Sequence, residues 1–247
     1  MRRGLNHNCL LVWIYKYHFM KKKYCLIFFA FVLIVELVAV QFNLDMLKFI
    51  FKPLIILSLI AYFLTATNSI AHSLKPLIVY ALIFSWMGDV LLMFESKNSM
   101  FFIFGLISFL IAHLFYVYYF HRIRLSQSIA GSVYLLIPVV IFYFTLMYIL
   151  EPYLGSLKLP VRIYGIVISF MLLLALHMLK ISNRSAGKLF ALGALLFVSS
   201  DALLAINKFY SSFPMAGLSI ILTYGLAQFF IVKGAISYFA SSDTKSS

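Results

Sequence analysis

The sequence predicts an all-α fold, a polytopic membrane bundle of about eight helices, and three observations carry that expectation. Of 247 residues, 64% are hydrophobic and only 11% are charged, well outside the balance of a soluble globular domain. Apolar runs recur along the whole chain at a length close to the roughly 20 residues that a helix needs to cross the hydrocarbon of a bilayer. The connections between them are short and hold turn and breaker residues such as Asn43, Asn68, Asn98, Glu151-Pro152, Asn183 and Pro214. The formal net charge of +13 does not point to nucleic acid, because the cations sit at the ends of apolar segments and form no stripe or cluster; their partner is the bilayer.

The first 19 residues hold an apolar run too short to span. They read either as a short interfacial arm or as a stretch upstream of a true start at Met20, and they carry no small-residue cleavage site. A single membrane domain is expected over 20–240, with a polar tail over 241–247. The expected spans are 24–42, 47–65, 75–94, 100–120, 129–150, 157–180, 188–207 and 213–239. With a cytoplasmic N-terminus, most lysines and arginines fall on the inner side, while only Lys48, Lys97, Lys158 and Lys208 fall in outer loops. That asymmetry and an even span count place both termini in the cytoplasm.

Two acids interrupt the apolar layer, Asp89 in ALIFSWMGDVLLMF and Asp201 in ALLFVSSDALLAINKF. A carboxylate costs a few kcal/mol (about 3) at the bilayer centre on insertion scales, so two in matched settings point to a lined cavity. They lie 112 positions apart, and the same shift lays Gly105-Leu106 over Gly217-Leu218. Spans three and four then repeat as seven and eight, a parallel 4+4 repeat, unless the likeness reflects only small, leucine-rich packing faces. Each acid also has a packing alternative, in which it pairs with a cation and fixes a helix.

Lys52 and Arg162 lie near the depth of the acids, one turn or so into inward-running spans. They are candidates to bind an anionic head group, to pair with the acids, or simply to snorkel. Glu36 is a third acid in the layer, with interhelical hydrogen bonding its expected role. His113 and Tyr116 share one helix face and Tyr224 and Gln228 another, as substrate contacts or as interhelical bonds. No paired-histidine spacing supports a metal site, and no glycine-rich phosphate loop or nucleophile elbow implies a cofactor or a serine nucleophile. Cys9 and Cys25 form no disulfide framework.

Several stretches together resemble the YhhN family of lysoplasmalogenases: FKPLI at 51–55, SWMGDVLLM at 85–93, FGLISFLIAHLFYV at 104–117, VRIYG at 161–165, GALLFVSSDALLAINKF at 193–209 and TYGLAQ at 223–228. The resemblance implies a multispanning hydrolase that cleaves the vinyl ether bond of lysoplasmalogens to a fatty aldehyde and a glycerophospho-base. Its two intramembrane acids fall on Asp89 and Asp201. Vinyl ether hydrolysis needs an acid to protonate the alkene and an anion to stabilise the oxocarbenium ion, a division of labour two neighbouring carboxyl groups supply. A lysophospholipid is thus the expected substrate and a bacterial inner membrane the expected location. The rival from another class is a small-solute or proton-coupled transporter, for which intramembrane acids in repeated halves are ordinary.

Overall fold

A computed structural model describes residues 4–243, with side chains described over 20–242. Eight helices follow one another: α1 (Gly4–Gln41), α2 (Asp45–Ala66), α3 (Lys75–Leu92), α4 (Met100–Ser126), α5 (Val133–Leu150), α6 (Lys158–His177), α7 (Arg184–Ala205) and α8 (Ala216–Asp243). Each contains a stretch long and apolar enough to cross a membrane, and no strand occurs among the described residues. In α1 that stretch is Met20–Gln41. The side chains of the first 19 residues, on which the choice between arm and upstream stretch turns, lie outside those described, as do residues 244–247 of the expected tail.

Helix ends follow local chemistry. α1 stops because Asn43 takes a left-handed conformation (φ 52°) and the Leu44 N–H returns to the Ala39 carbonyl at 2.8 Å, closing a Schellman turn. α4 ends in the same way at Ser128 (φ 51°), so it runs six residues past the expected 120 and delays α5 to Val133. Asn183 caps α7 by accepting the Ala186 N–H at 3.0 Å, which starts that helix at Arg184, before the expected 188. Beyond Ala205 the chain does not stop but continues through a π-helical turn, Ile206–Tyr210.

α3 and α4 form one tight hairpin and α7 and α8 another; α4 lies on α6, and α8 lies on α2 and α1. Close approach in the first hairpin needs Gly88, where a Cβ would stand 2.6 Å from the Phe109 ring. The centre is an aromatic column that includes the fully buried Phe63, Tyr116, Tyr119, Phe120, Phe190, Phe197 and Phe239. The outer faces carry exposed residues such as Phe31, Ile34, Ile141, Phe144, Ile166 and Phe170, an inverted surface suited to acyl chains. A cavity remains among α2–α8, and both acids line it.

Candidate active site

Asp89 sits in the last turn of α3 and Asp201 in the last turn of regular α7. Both line one cavity of about 110 Å³, to which every helix from α2 to α8 contributes. A single water needs about 10–15 Å³ measured in this way, so the space admits several waters or a small polar group. Most of the wall is apolar, with Leu146, Met147, Leu150, Val161 and Ile168 from α5 and α6 and Leu92 and Leu106 from α3 and α4. The polar members are Lys52, Asp89, Tyr164, Ser200, Asp201, Lys208 and Tyr224.

Each acid is held by a phenol from a distant helix. The Tyr224 hydroxyl on α8 donates to Asp89 Oδ2 at 2.7 Å, and the Tyr164 hydroxyl on α6 donates to Asp201 Oδ2 at 2.8 Å. Asp89 is buried, whereas the Asp201 side chain keeps 12% exposure. A hydrogen bond onto a carboxyl fixes its rotamer, and here each acid keeps one oxygen that its tyrosine does not engage. His113 lies on the Asp201 side, its Nε2 3.6 Å from Oδ2. Its ring packs edge-on against Phe197 and Tyr164, with centroids 4.6 and 5.4 Å away.

Lys52 lines the cavity. Arg162 does not. Its side chain is half exposed and pairs with Glu151, which lies in the short 3-10 turn after α5. Arg162 and Tyr164 are two residues apart, about 200° around the helix, and it is Tyr164 that faces the cavity. The second cation at the cavity is Lys208, carried there by the π-helical turn; its ammonium lies 3.1 Å from Glu95 and 5.0 Å from the centre of the Phe102 ring. A π turn shifts the facing of everything after it, which no apolar periodicity announces.

Tyr116 and Gln228 meet each other. Tyr116 donates to Gln228 Oε1 at 2.7 Å and Gln228 Nε2 donates to Ser85 at 2.9 Å, a buried chain that ties α4, α8 and α3 beneath the cavity. Neither residue is part of the cavity wall. Glu36 is buried on α1, and its Oε2 has no hydrogen-bond partner, so the interhelical bond expected there is not made through that oxygen. Ser200 spends its hydroxyl on the Ile220 carbonyl and Ser199 on Leu195, which binds neither to a base. Among the described residues, no group of three or more His, Cys, Asp or Glu side chains is gathered as a metal site would need.

Residues 47–235 match the YhhN family, a stretch that includes most of α2, all of α3 to α7, most of α8 and all the cavity residues. The chain is 32% identical to rat (Rattus norvegicus) lysoplasmalogenase TMEM86B over 156 residues, 63% of this chain and 60% of that protein. It is 28% identical to human lysoplasmalogenase TMEM86A over 182 residues, 68% of each, and 34% identical to human lysoplasmalogenase TMEM86B over 156 residues, 63% of this chain and 62% of that protein. The matched stretch thus spans about three-fifths of the two TMEM86B relatives. No solved structure matches the chain.

Proposed function

Because the chain belongs to the YhhN family, we propose that it is a membrane hydrolase that cleaves the vinyl ether bond of lysoplasmalogens, releasing a fatty aldehyde and a glycerophosphoethanolamine or glycerophosphocholine. The observation that carries the reading is the meeting of Asp89 and Asp201 in one mostly apolar cavity, each braced by a tyrosine. The names of the relatives support the substrate class.

The chemistry suits that cavity. One carboxyl group delivers its proton to the outer alkene carbon of the vinyl ether and becomes a carboxylate. The other, already ionised, faces the oxocarbenium ion formed at the carbon bonded to oxygen. Water adds to that carbon and returns a proton to the first acid, and the resulting hemiacetal collapses to aldehyde and alcohol. Both carboxyl groups finish as they began, and the sum is addition of one water. Charge stabilisation by a fixed anion in a water-poor cleft is worth more than in bulk solvent, where it would be screened.

A lysolipid has one tail and one phosphate. The apolar wall from α5 and α6 suits the tail, and Lys52 and Lys208 at the cavity suit the phosphate. Lys208→Ala is expected to raise KM severalfold with kcat little changed, and Lys52→Ala to raise KM and also lower kcat because Lys52 shares the cavity wall with Asp89, whereas Arg162→Ala, at a residue outside that wall, leaves both within twofold. A rise in KM for Arg162→Ala equal to that of the lysine variants would contradict this assignment. The activity itself is tested by incubating the purified protein with a lysoplasmalogen and with the ester analogue. Aldehyde from the first is the expected result; fatty acid from the second, without aldehyde, would make the protein a lysophospholipase instead.

A further inference from the structure

We propose that Asp201 and His113 form a proton-holding pair, which makes Asp201 the acid of the reaction and Asp89 the carboxylate that faces the cation. The assignment of roles rests on the hydrolase reading; the existence of the pair does not.

The geometry of the imidazole is the starting point. His113 Nδ1 lies 2.6 Å from the Phe109 carbonyl oxygen. A carbonyl only accepts, so Nδ1 must carry the hydrogen, and in the neutral ring Nε2 then presents a lone pair. Nε2 is fully buried, has no hydrogen-bond partner, and looks at Asp201 Oδ2 across 3.6 Å. Two lone pairs held face to face in a buried site repel. A single proton between them turns the contact into a hydrogen bond, and catalytic contacts of this length commonly shorten when substrate closes the site.

Placing that proton on Asp201 leaves the pair without net charge in an apolar cleft, while a carboxylate and an imidazolium would both have to be desolvated there. Oδ2 retains a lone pair for the Tyr164 hydroxyl, 2.8 Å away. The ring is held edge-on between Tyr164 and Phe197, so it has little freedom to turn its nitrogen away. His113 reaches the substrate only through Asp201 and is therefore a positioning residue.

Asp89 has none of this. Its Oδ2 accepts the Tyr224 hydroxyl at 2.7 Å, no imidazole faces it among the described residues, and Lys52 lines the same cavity. A carboxyl group with no base to hold its proton, on a wall shared with an ammonium, suits the carboxylate role opposite an oxocarbenium ion better than that of proton donor. In the reaction the hydrogen on Oδ2 swings from Nε2 to the substrate, the O–H bond breaks with its electron pair staying on the carboxylate, and the proton forms the new C–H bond; water later restores it, with Nε2 ready to receive the hydrogen bond again.

The test reads the resting full-length protein, reconstituted at neutral pH without substrate, by infrared difference spectroscopy. One component of the protonated-carboxyl carbonyl stretch, separate from any band removed by Glu36→Gln, is expected to be lost in Asp201→Asn and kept in Asp89→Asn; any other pattern overturns the proposal. Variants at His113 test it without touching either acid. His113→Asn keeps an N–H for the Phe109 carbonyl and removes the acceptor, so the Asp201 band should move to higher frequency. His113→Gln puts an amide oxygen where Nε2 stood and should move it back. An unmoved band in His113→Asn overturns the pair. Because none of these readings requires turnover, they stand apart from the aldehyde assay, whose failure would remove only the substrate assignment.

Discussion

Two tyrosines do the local work of the site, and their removal is the sharpest test at the level of single residues. A hydrogen bond to a charged group contributes about 1.5–3 kcal/mol and one to a neutral group about 0.5–1.5, so Tyr224→Phe, facing the carboxylate, should lower kcat about tenfold or more and Tyr164→Phe severalfold. Steady-state aldehyde release would show it, and wild-type kcat in both would mean the phenols do not orient the acids. Asp89 and Asp201 were legible in the sequence because a carboxyl group in an apolar run is rare and costly. Tyr164 was not, since it is one of 16 tyrosines in a chain where such rings are mostly lipid-facing or packed. Arg162 shows the opposite limit. Span depth gives the height of a side chain and says nothing about its direction, and here the charge turns outward to Glu151.

At the level of helices, the site depends on how α3, α4 and α8 are locked together. The buried chain from Tyr116 through Gln228 to Ser85 joins all three. Gln228→Leu strands the Tyr116 hydroxyl and should destabilise the protein by about 1–3 kcal/mol, visible as a lower melting temperature in detergent. Unchanged melting would show that the chain is dispensable. Gly88→Val would drive a side chain into the Phe109 ring, which lines the cavity and whose carbonyl holds His113, so activity should fall even where the protein still folds. The α2–α3 connection carries a pH effect of its own. His72 accepts the Leu74 N–H through Nδ1 and stacks on Phe239, and burial lowers its pKa from the ordinary 6.5. A histidine held neutral stabilises the fold above its unfolded pKa and loses that contribution as pH falls through the folded value. Thermal melts between about pH 7 and pH 5 should therefore slope downward toward acid, and His72→Phe should flatten that slope.

Across the whole molecule, all eight spans could be read from apolar length alone, because a bilayer permits few other ways to satisfy a backbone. Their ends were less legible, since the Schellman turns, the Asn183 cap and the π-helical turn are decided by single residues. We propose that both termini lie on the cation-rich side: cysteines placed at Lys97 should react with an impermeant reagent from outside and cysteines at Arg184 should not, and the reverse labelling would invert the topology. We also propose a parallel repeat. α2 packs on α3 and α8 much as α6 packs on α7 and α4, and the bonded pair Tyr116 and Gln228 stands 112 positions apart, the separation of the two acids. In such an arrangement each half supplies one carboxyl group and the other half reaches across to brace it, as Tyr224 does for Asp89 and His113 for Asp201.

The claim on which the account depends is that Asp89 and Asp201 act as one unit on one substrate. Aldehyde release from lysoplasmalogen by Asp89→Asn, Asp201→Asn and the double variant, each checked for folding by its melting temperature, measures this directly. Groups that act as a unit are lost together, so each single variant should fall to nearly the level of the double. Substantial turnover remaining in either well-folded single variant would contradict it.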